Sequence, residues 1–307
     1  MRELSCFGDG AVAVAAAAAA ASVSGRGALD RSLQAATTSV YRVALPSTGK
    51  EMLVRVTWTR SAAGAAAVAV GFDEEGGVPA PKPARRGGQI LLQRRHGSRS
   101  LVTGAGTAVG VHWDTAEATY PSEASPEPSG DYYLAVVADA ELALLLGAGR
   151  AASELSRRFG YGACAVPRGA LVCRREQLRG AAAHVTRCRF REGGEEHEVA
   201  VHACRCSGDG EVRVSIDGEK VAEVRRVGWG FRGNRAAVLA DGEVVDVMWD
   251  VHDWWFGGGG GGAGAGAQFM VKARAEKEGG LWMADETAAA RGQSPGGFFL
   301  HVQCYRR

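Results

Sequence analysis

Asp246, Asp250 and His252 stand at i, i+4 and i+6 of the run VVDVMWDVHDWWF, with Asp253 beside them. Alternate residues of an extended strand share a face, so two carboxylates and an imidazole would line one side of it. Oxygen and imidazole donors on a rigid strand suit a divalent cation or a general acid–base pair. Same-face neighbours lie about 6.5–7 Å apart at Cα, so a third ligand would have to come from elsewhere. The spacing fits better with a polar sheet face on which His252 bonds to a neighbouring acid, since no two-histidine or calcium-loop pattern is present. Trp254 and Trp255 follow directly, then Phe256. Such rings stack on sugars or nucleobases. Strand alternation instead sends one ring inward and leaves the next partly covered.

A second set is basic. Residues 78–100 hold Lys82, Arg85, Arg86, Arg94, Arg95 and Arg99, and neither Asp nor Glu occurs there. Such a loop attracts phosphates or acidic groups, although it lacks the interleaved aromatics of a nucleic-acid binder. The competing reading is a solvated loop. Arg232 and Arg235 flank Gly233-Asn234, residues that tolerate positive φ, so FRGNR reads as a turn or bulge, with Arg232 able to stack on a nearby aromatic ring. His202, Cys204 and Cys206 share a strand face, but zinc favours CxxC knuckles, and the cysteines read better as small buried residues.

These groups need strands to hold them. Residues 227–256 read as strand, turn, strand, with Asp241-Gly242 as the turn, because a type I′ hairpin needs positive φ at both central positions. Val245, Val247, Trp249 and Val251 then form the buried face, opposite Asp246, Met248, Asp250 and His252. Short apolar runs recur along the chain, with a second Asp-Gly turn at 217–218 and one helical pattern at 151–159. The class is all-β: an antiparallel sandwich or barrel. Trp113-Asp114 followed by YYLAVVA echoes Trp249-Asp250 followed by FMVKA, and VRVTW (54–58) resembles VRVSI (212–216). Two tandem related β units, about 36–150 and 165–307, would explain the echo, though the strict period of a repeat array is missing. They would follow an alanine-rich, poorly ordered leader at 1–35, and they allow packing as one continuous domain. Residues 257–266 are a flexible glycine loop.

The 307 residues suffice for one large or two ordinary domains. A net charge of +2 gives no global pull toward nucleic acid or membrane. Five of the 36 basic residues are lysine, a bias that discourages reading function into each arginine. Seven irregularly spaced cysteines suggest free thiols in a reducing compartment. The alanine run 11–22 lacks the basic, acid-free leader of a signal peptide, and no stretch is apolar enough to span a bilayer as a helix. A cytoplasmic location is expected.

Several stretches together resemble a plant-specific family, domain of unknown function 868: MRELSCF at the start, VTW (56–58), HWD (112–114), EPSGDYYLAVVADAELALLLG (127–147), CRREQ (173–177), the run 229–256 and LWM (281–283). The likeness covers nearly the whole chain. The alanine leader and the polyglycine loop depart from it. It implies a plant source and an intact domain, suggests that a basic turn recurs around RRHGSRS, and carries over no catalytic residue.

No nucleophile elbow, HExxH, phosphate-loop or dinucleotide motif is present. The sequence therefore reads as a non-catalytic interaction module, with no cofactor and no metal expected. Its basic segment would meet an anionic lipid surface or an acidic protein, and nucleic acid is not expected. The alternative is a carbohydrate-binding or carbohydrate-active protein using Asp246, Asp250 and His252 with Trp254 or Trp255.

Overall fold

Period-two alternation is the dominant signal along the chain, and the structure converts it into strands. His197–Cys204 alternates buried and half-buried residue by residue, the pattern of a sheet with one covered face. The computed structural model describes residues 29, 32–45, 47–74, 89–123, 125–149, 153, 155, 157, 169–180, 183–205, 208–257, 266–274 and 298–305. The fold is all-β and sandwich-like, and its chain divides into two compact units: 1–24 with 40–170, and 25–39 with 171–307. Most of the leader, Lys82, Arg85, Arg86 and most of the glycine loop lie outside the described residues.

In the first unit, β1 (Leu33–Ala44, from Val40 on), β2 (Glu51–Ser61), β3 (Ala66–Glu74) and β4 (Gln89–Leu92) lie side by side in that order. A second sheet orders β5 (His96–Val102), β6 (Ala108–Asp114), β7 (Tyr132–Ala138) and β8 (Glu141–Ala148). Val54, Val56, Trp58, Val70 and Phe72 meet Val109, Val111, Trp113, Leu134, Val136 and Leu144 in one core. Tyr132 sets its ring edge-on to Trp58 at 5.5 Å. The helical pattern expected at 151–159 shows at Ser153, Leu155 and Arg157, and Leu155 packs on Ala135, Leu142 and Leu145.

In the second unit, β10 (Ala183–Cys188), β11 (His197–Cys204), β12 (Glu211–Ile216) and β13 (Glu219–Val224) form one sheet in sequence order. Against it packs a sheet ordered β14 (Arg232–Val238), β15 (Val244–Asp250), β16 (Gly266–Ala273), β17 (Phe299–Tyr305) and β9 (Ala170–Arg179). Val199, Val201, Val212, Val214 and Ile216 meet Val245, Val247, Trp249, Phe269, Leu300 and Val302. β17 and β9 pair in parallel. A parallel pair needs a long crossover, and here the strands between β9 and β17 supply it. Arg179 then donates to the carbonyls of Leu33 and Leu29, while Gln34 donates to the carbonyl of Arg179.

One hairpin occurs twice. Residues 96–115 align with 232–251 without a gap, matching Gly97 to Gly233, Arg99 to Arg235, Gly106 to Gly242, Trp113 to Trp249 and Asp114 to Asp250. The ladders agree: Gly97 faces Trp113 and Gly233 faces Trp249. Trp113 Nε1 donates to the Arg94 carbonyl at 2.8 Å, and Trp249 Nε1 to the Gly230 carbonyl at 2.9 Å. Asp114 Oδ1 accepts from the Ala116 N–H as Asp250 Oδ1 accepts from the His252 N–H. By contrast VRVTW lies on β2, between β1 and β3, and VRVSI on β12, between β11 and β13, and neither strand belongs to the repeated hairpin.

Three local expectations change. At Asp241-Gly242 only Gly242 has positive φ, 84°. The Gly242 N–H bonds to the Leu239 carbonyl and the Leu239 N–H to the Glu243 carbonyl. This is a three-residue loop closed by a left-handed glycine rather than a type I′ turn. Asp217-Gly218, with φ of 51° and 79°, does have the type I′ signs. β15 ends at Asp250: Val251 turns to ψ 17°, and α1 (His252–Phe256) begins, so His252 is not on the strand face. Finally, the run before the hairpin opens with a single helical turn at Val227–Gly230, which leaves Trp229 92% exposed rather than in the core.

Candidate functional site

The sequence-selected acids on β15 are already paired. Asp246 takes both Nε and Nη2 of Arg274, and Asp250 binds Arg232 Nε at 2.8 Å. His252 Nδ1 lies 2.9 Å from Asp253, with its ring against Phe231 and Phe256. Trp254 is buried in the core. Trp255 is half-buried, with the Arg205 guanidinium 4.8 Å from its ring centre. The buried face of Val245, Val247, Trp249 and Val251 is as the alternation predicts.

The basic segment has a fixed backbone. Arg94 and Arg95 form an exposed bend between β4 and β5. Trp113 holds the Arg94 carbonyl, and Thr115 holds the Arg95 carbonyl through its N–H and its hydroxyl, at 2.6 and 2.9 Å. Arg99 projects from β5, which is exposed at every residue but Leu101. β5 ends its sheet, and no described strand pairs with its outer side.

The least satisfied polar cluster lies elsewhere, in the second unit. His197 opens β11, and its side chain is 3% exposed. Asp217, in the type I′ turn after β12, accepts from the Glu198 N–H at 2.8 Å and contacts His197 Nδ1 at 2.7 Å. That fixes Nδ1 toward Asp217 and leaves Nε2 facing the β14–β15 turn. There Asp241 uses Oδ1 to accept from the Glu243 N–H, which aims Oδ2 at His197 Nε2, 3.6 Å away. His197 Nε2, Asp241 Oδ2 and Glu243 Oε2 are all buried without a hydrogen-bond partner, and the three ligand atoms lie within 4.8 Å of one another. Arg191 approaches from outside, Nη2 at 3.6 Å from Asp241 and Nε at 3.8 Å from Glu243, with its side chain 60% exposed. Burial pulls the His197 pKa down, but the bond to Asp217 and the charges of Asp217 and Asp241 lift it above its ordinary value. Burial and the Asp241 charge push the Glu243 carboxyl up.

A family model described as "Plant protein of unknown function (DUF868)" matches residues 32–303. The chain belongs to this family. No curated protein and no solved structure matches it. The DUF868 match takes in both units' described strands up to Gln303, hence the basic bend, the β15 acids and the His197 cluster alike.

Sequence reasoning did not find the cluster, because its members come from two separate hairpin turns and the start of a strand. A detectable trace was Asp241-Gly242-Glu243: two acids round a turn glycine, beside a long apolar strand. The cysteines also differ from expectation. Cys204 is disulfide-bonded, so it is neither a free thiol nor an available ligand beside His202. Cys173, Cys188 and Cys304 are buried and not disulfide-bonded. Burial pushes Cys188 and Cys304 up to about 12, which keeps them as unreactive thiols. Among the described residues no helix is long and apolar enough to cross a membrane.

Proposed function

We propose that this DUF868 protein is a non-catalytic interaction module that binds an acidic partner at the Arg94–Arg95 bend and along β5. The observation that carries the reading is a held backbone with free charges. The two carbonyls of the bend are tied to Trp113 and Thr115, while the arginine side chains are exposed and enter no ion pair among the described residues. A pre-set bend loses little order on binding. An open sheet edge can accept an extended segment by main-chain hydrogen bonds, and the flanking arginines select for acidic residues in it. The expected location remains the cytoplasm, where such a partner would be met.

The carbohydrate reading has less support. Of its platform residues Trp254 is buried and Trp255 is half-buried with the Arg205 guanidinium over its ring, and Asp246 and Asp250 are engaged by arginines, so no free carboxylate pair is offered.

The test is binding of the full chain to immobilised polyglutamate at moderate salt. Arg94→Ala, Arg95→Ala and Arg99→Ala combined should weaken it by an order of magnitude or more, by analogy with the loss of several charge contacts. Equal binding by both forms removes the reading. Stronger capture by phosphatidylserine vesicles than by polyglutamate would transfer the arginines' role to a lipid surface.

A further inference from the structure

We propose that His197, Asp241 and Glu243 form a binding site for a first-row divalent metal ion of the zinc class, buried between the β14–β15 turn and the start of β11. This reverses the expectation of no metal drawn from the sequence. One imidazole nitrogen and two carboxylate oxygens are a donor set that zinc accepts, with three protein ligands and a fourth position for water.

The geometry argues for a cation rather than for an internal network. Three buried acceptor-capable atoms converge with no donor among them at hydrogen-bond distance. A proton on His197 Nε2 would leave Asp241 Oδ2 3.6 Å away, too far for a hydrogen bond. Ligands about 2.1 Å from a tetrahedral ion sit roughly 3.4 Å apart, close to that separation. Asp217 provides what metal-binding histidines ordinarily have: a carboxylate on the other ring nitrogen, fixing tautomer and ring orientation. Asp217 is thus a positioning residue and not a ligand.

The hairpin itself does not demand these acids. In the matching turn of the first unit, Ala105 and Thr107 stand where the second has Asp241 and Glu243, yet the turn keeps the same two backbone hydrogen bonds, Thr103 to Thr107 and Gly106 to Thr103. The carboxylates are therefore an addition to a turn that closes without them. Arg191 supplies one positive charge at the mouth, beyond hydrogen-bond distance from both acids. Its exposed side chain is free to withdraw when an ion enters.

The experiment uses the full chain, stripped with a chelator, dialysed, and titrated with zinc and with cobalt(II). Wild type should take up one equivalent of either, cobalt giving visible d–d absorption. Asp241→Asn and Glu243→Gln should each abolish that absorption while circular dichroism shows the native strand signal. Asp217→Asn should still reach one equivalent but bind 10- to 100-fold more weakly, the usual effect of losing an orienting carboxylate. Should an acid variant fail to fold, the His197 imidazole 15N resonances of wild type decide: Nε2 must shift on adding zinc. No stoichiometric uptake by folded wild type, an unmoved Nε2, or undiminished uptake by the folded acid variants would overturn the assignment.

Discussion

Ala140 sits in the left-handed region with φ 68°, after Asp139 at φ 47°, in the turn joining β7 to β8. An alanine there brings Cβ against a carbonyl, and glycine relieves that clash. Asp139 is better suited to the same region and uses it: Oδ1 accepts from the Ala108 N–H at 3.1 Å. Since Ala140 is exposed, Ala140→Gly removes no packing and should stabilise the protein by about 1 kcal/mol. A denaturant midpoint that rises at constant m-value would show it; a fall would mean the strain is absent. The turn is legible in the sequence as Asp139-Ala140 between apolar runs, but its strain is not, because Asp-Ala lacks the glycine that announces positive φ. Glycines opposite tryptophans tell a similar story. A Cβ on Gly233 would stand 2.2 Å from Trp249 Cζ2, against 3.0 Å for Gly97 and Trp113. Gly233→Ala should therefore cost about 1–3 kcal/mol, as overpacking does, whereas at Gly97 a looser fit is combined with a φ of 159°. An undiminished melting temperature for Gly233→Ala would contradict the close fit. FRGNR was readable as glycine-dependent, but as a turn; it is a strand whose glycine makes room for an indole on its neighbour.

At the scale of elements, the join of β9 to β10 rests on a buried charge. Glu176 on β9 binds Arg174 on its own strand and His184 and Thr186 on β10. Burial works to raise its pKa, but the His184 bond and the Arg174 charge prevail and lower it from 4.5 to about 2. A carboxyl with a depressed folded pKa contributes stability that is fully present above its unfolded value and is lost as pH falls toward the folded one. The window is therefore pH 4.5 down to about 2, and the contribution is on the order of 3 kcal/mol. Unfolding free energies measured from pH 6 to 2 should fall more steeply for wild type than for Glu176→Gln, with the two curves converging near the acid end. Parallel curves would show that Glu176 is not held as described. CRREQ gave no hint of this in one dimension: a lone glutamate among arginines looks like solvated surface until β10 brings a histidine and a threonine beside it. The β15 face was legible because alternation alone determines which residues point inward. Where β15 stops was not: there Val251 leaves the extended region and the Asp250 carboxylate accepts from the His252 N–H, contacts that alternation does not announce.

Among the described residues each unit has its own large hydrophobic core, and the same tryptophan-bearing hairpin stands in both. We propose that the units arose from one ancestral β unit. The constant register, the paired glycines and the two indole hydrogen bonds support this, and generic alternation accounts for none of them. The echo at Trp113-Asp114 and Trp249-Asp250 was visible in the sequence, yet no period was, because the loops after the two hairpins differ in length and composition. Separate cores imply separate cooperative openings. Gly233→Ala strains only the second core, so hydrogen exchange of the full chain should show faster amides at Val199, Val214, Val247 and Val271. Amides at Val54, Val111 and Val136, buried in the first core, should keep wild-type protection. Zinc added to wild type should act in the opposite sense on the second set alone, because a ligand that binds only the folded state raises the cost of opening the unit that holds it. Uniform changes across both sets would mean that the chain opens as one body, and the case for two independently packed units would fail.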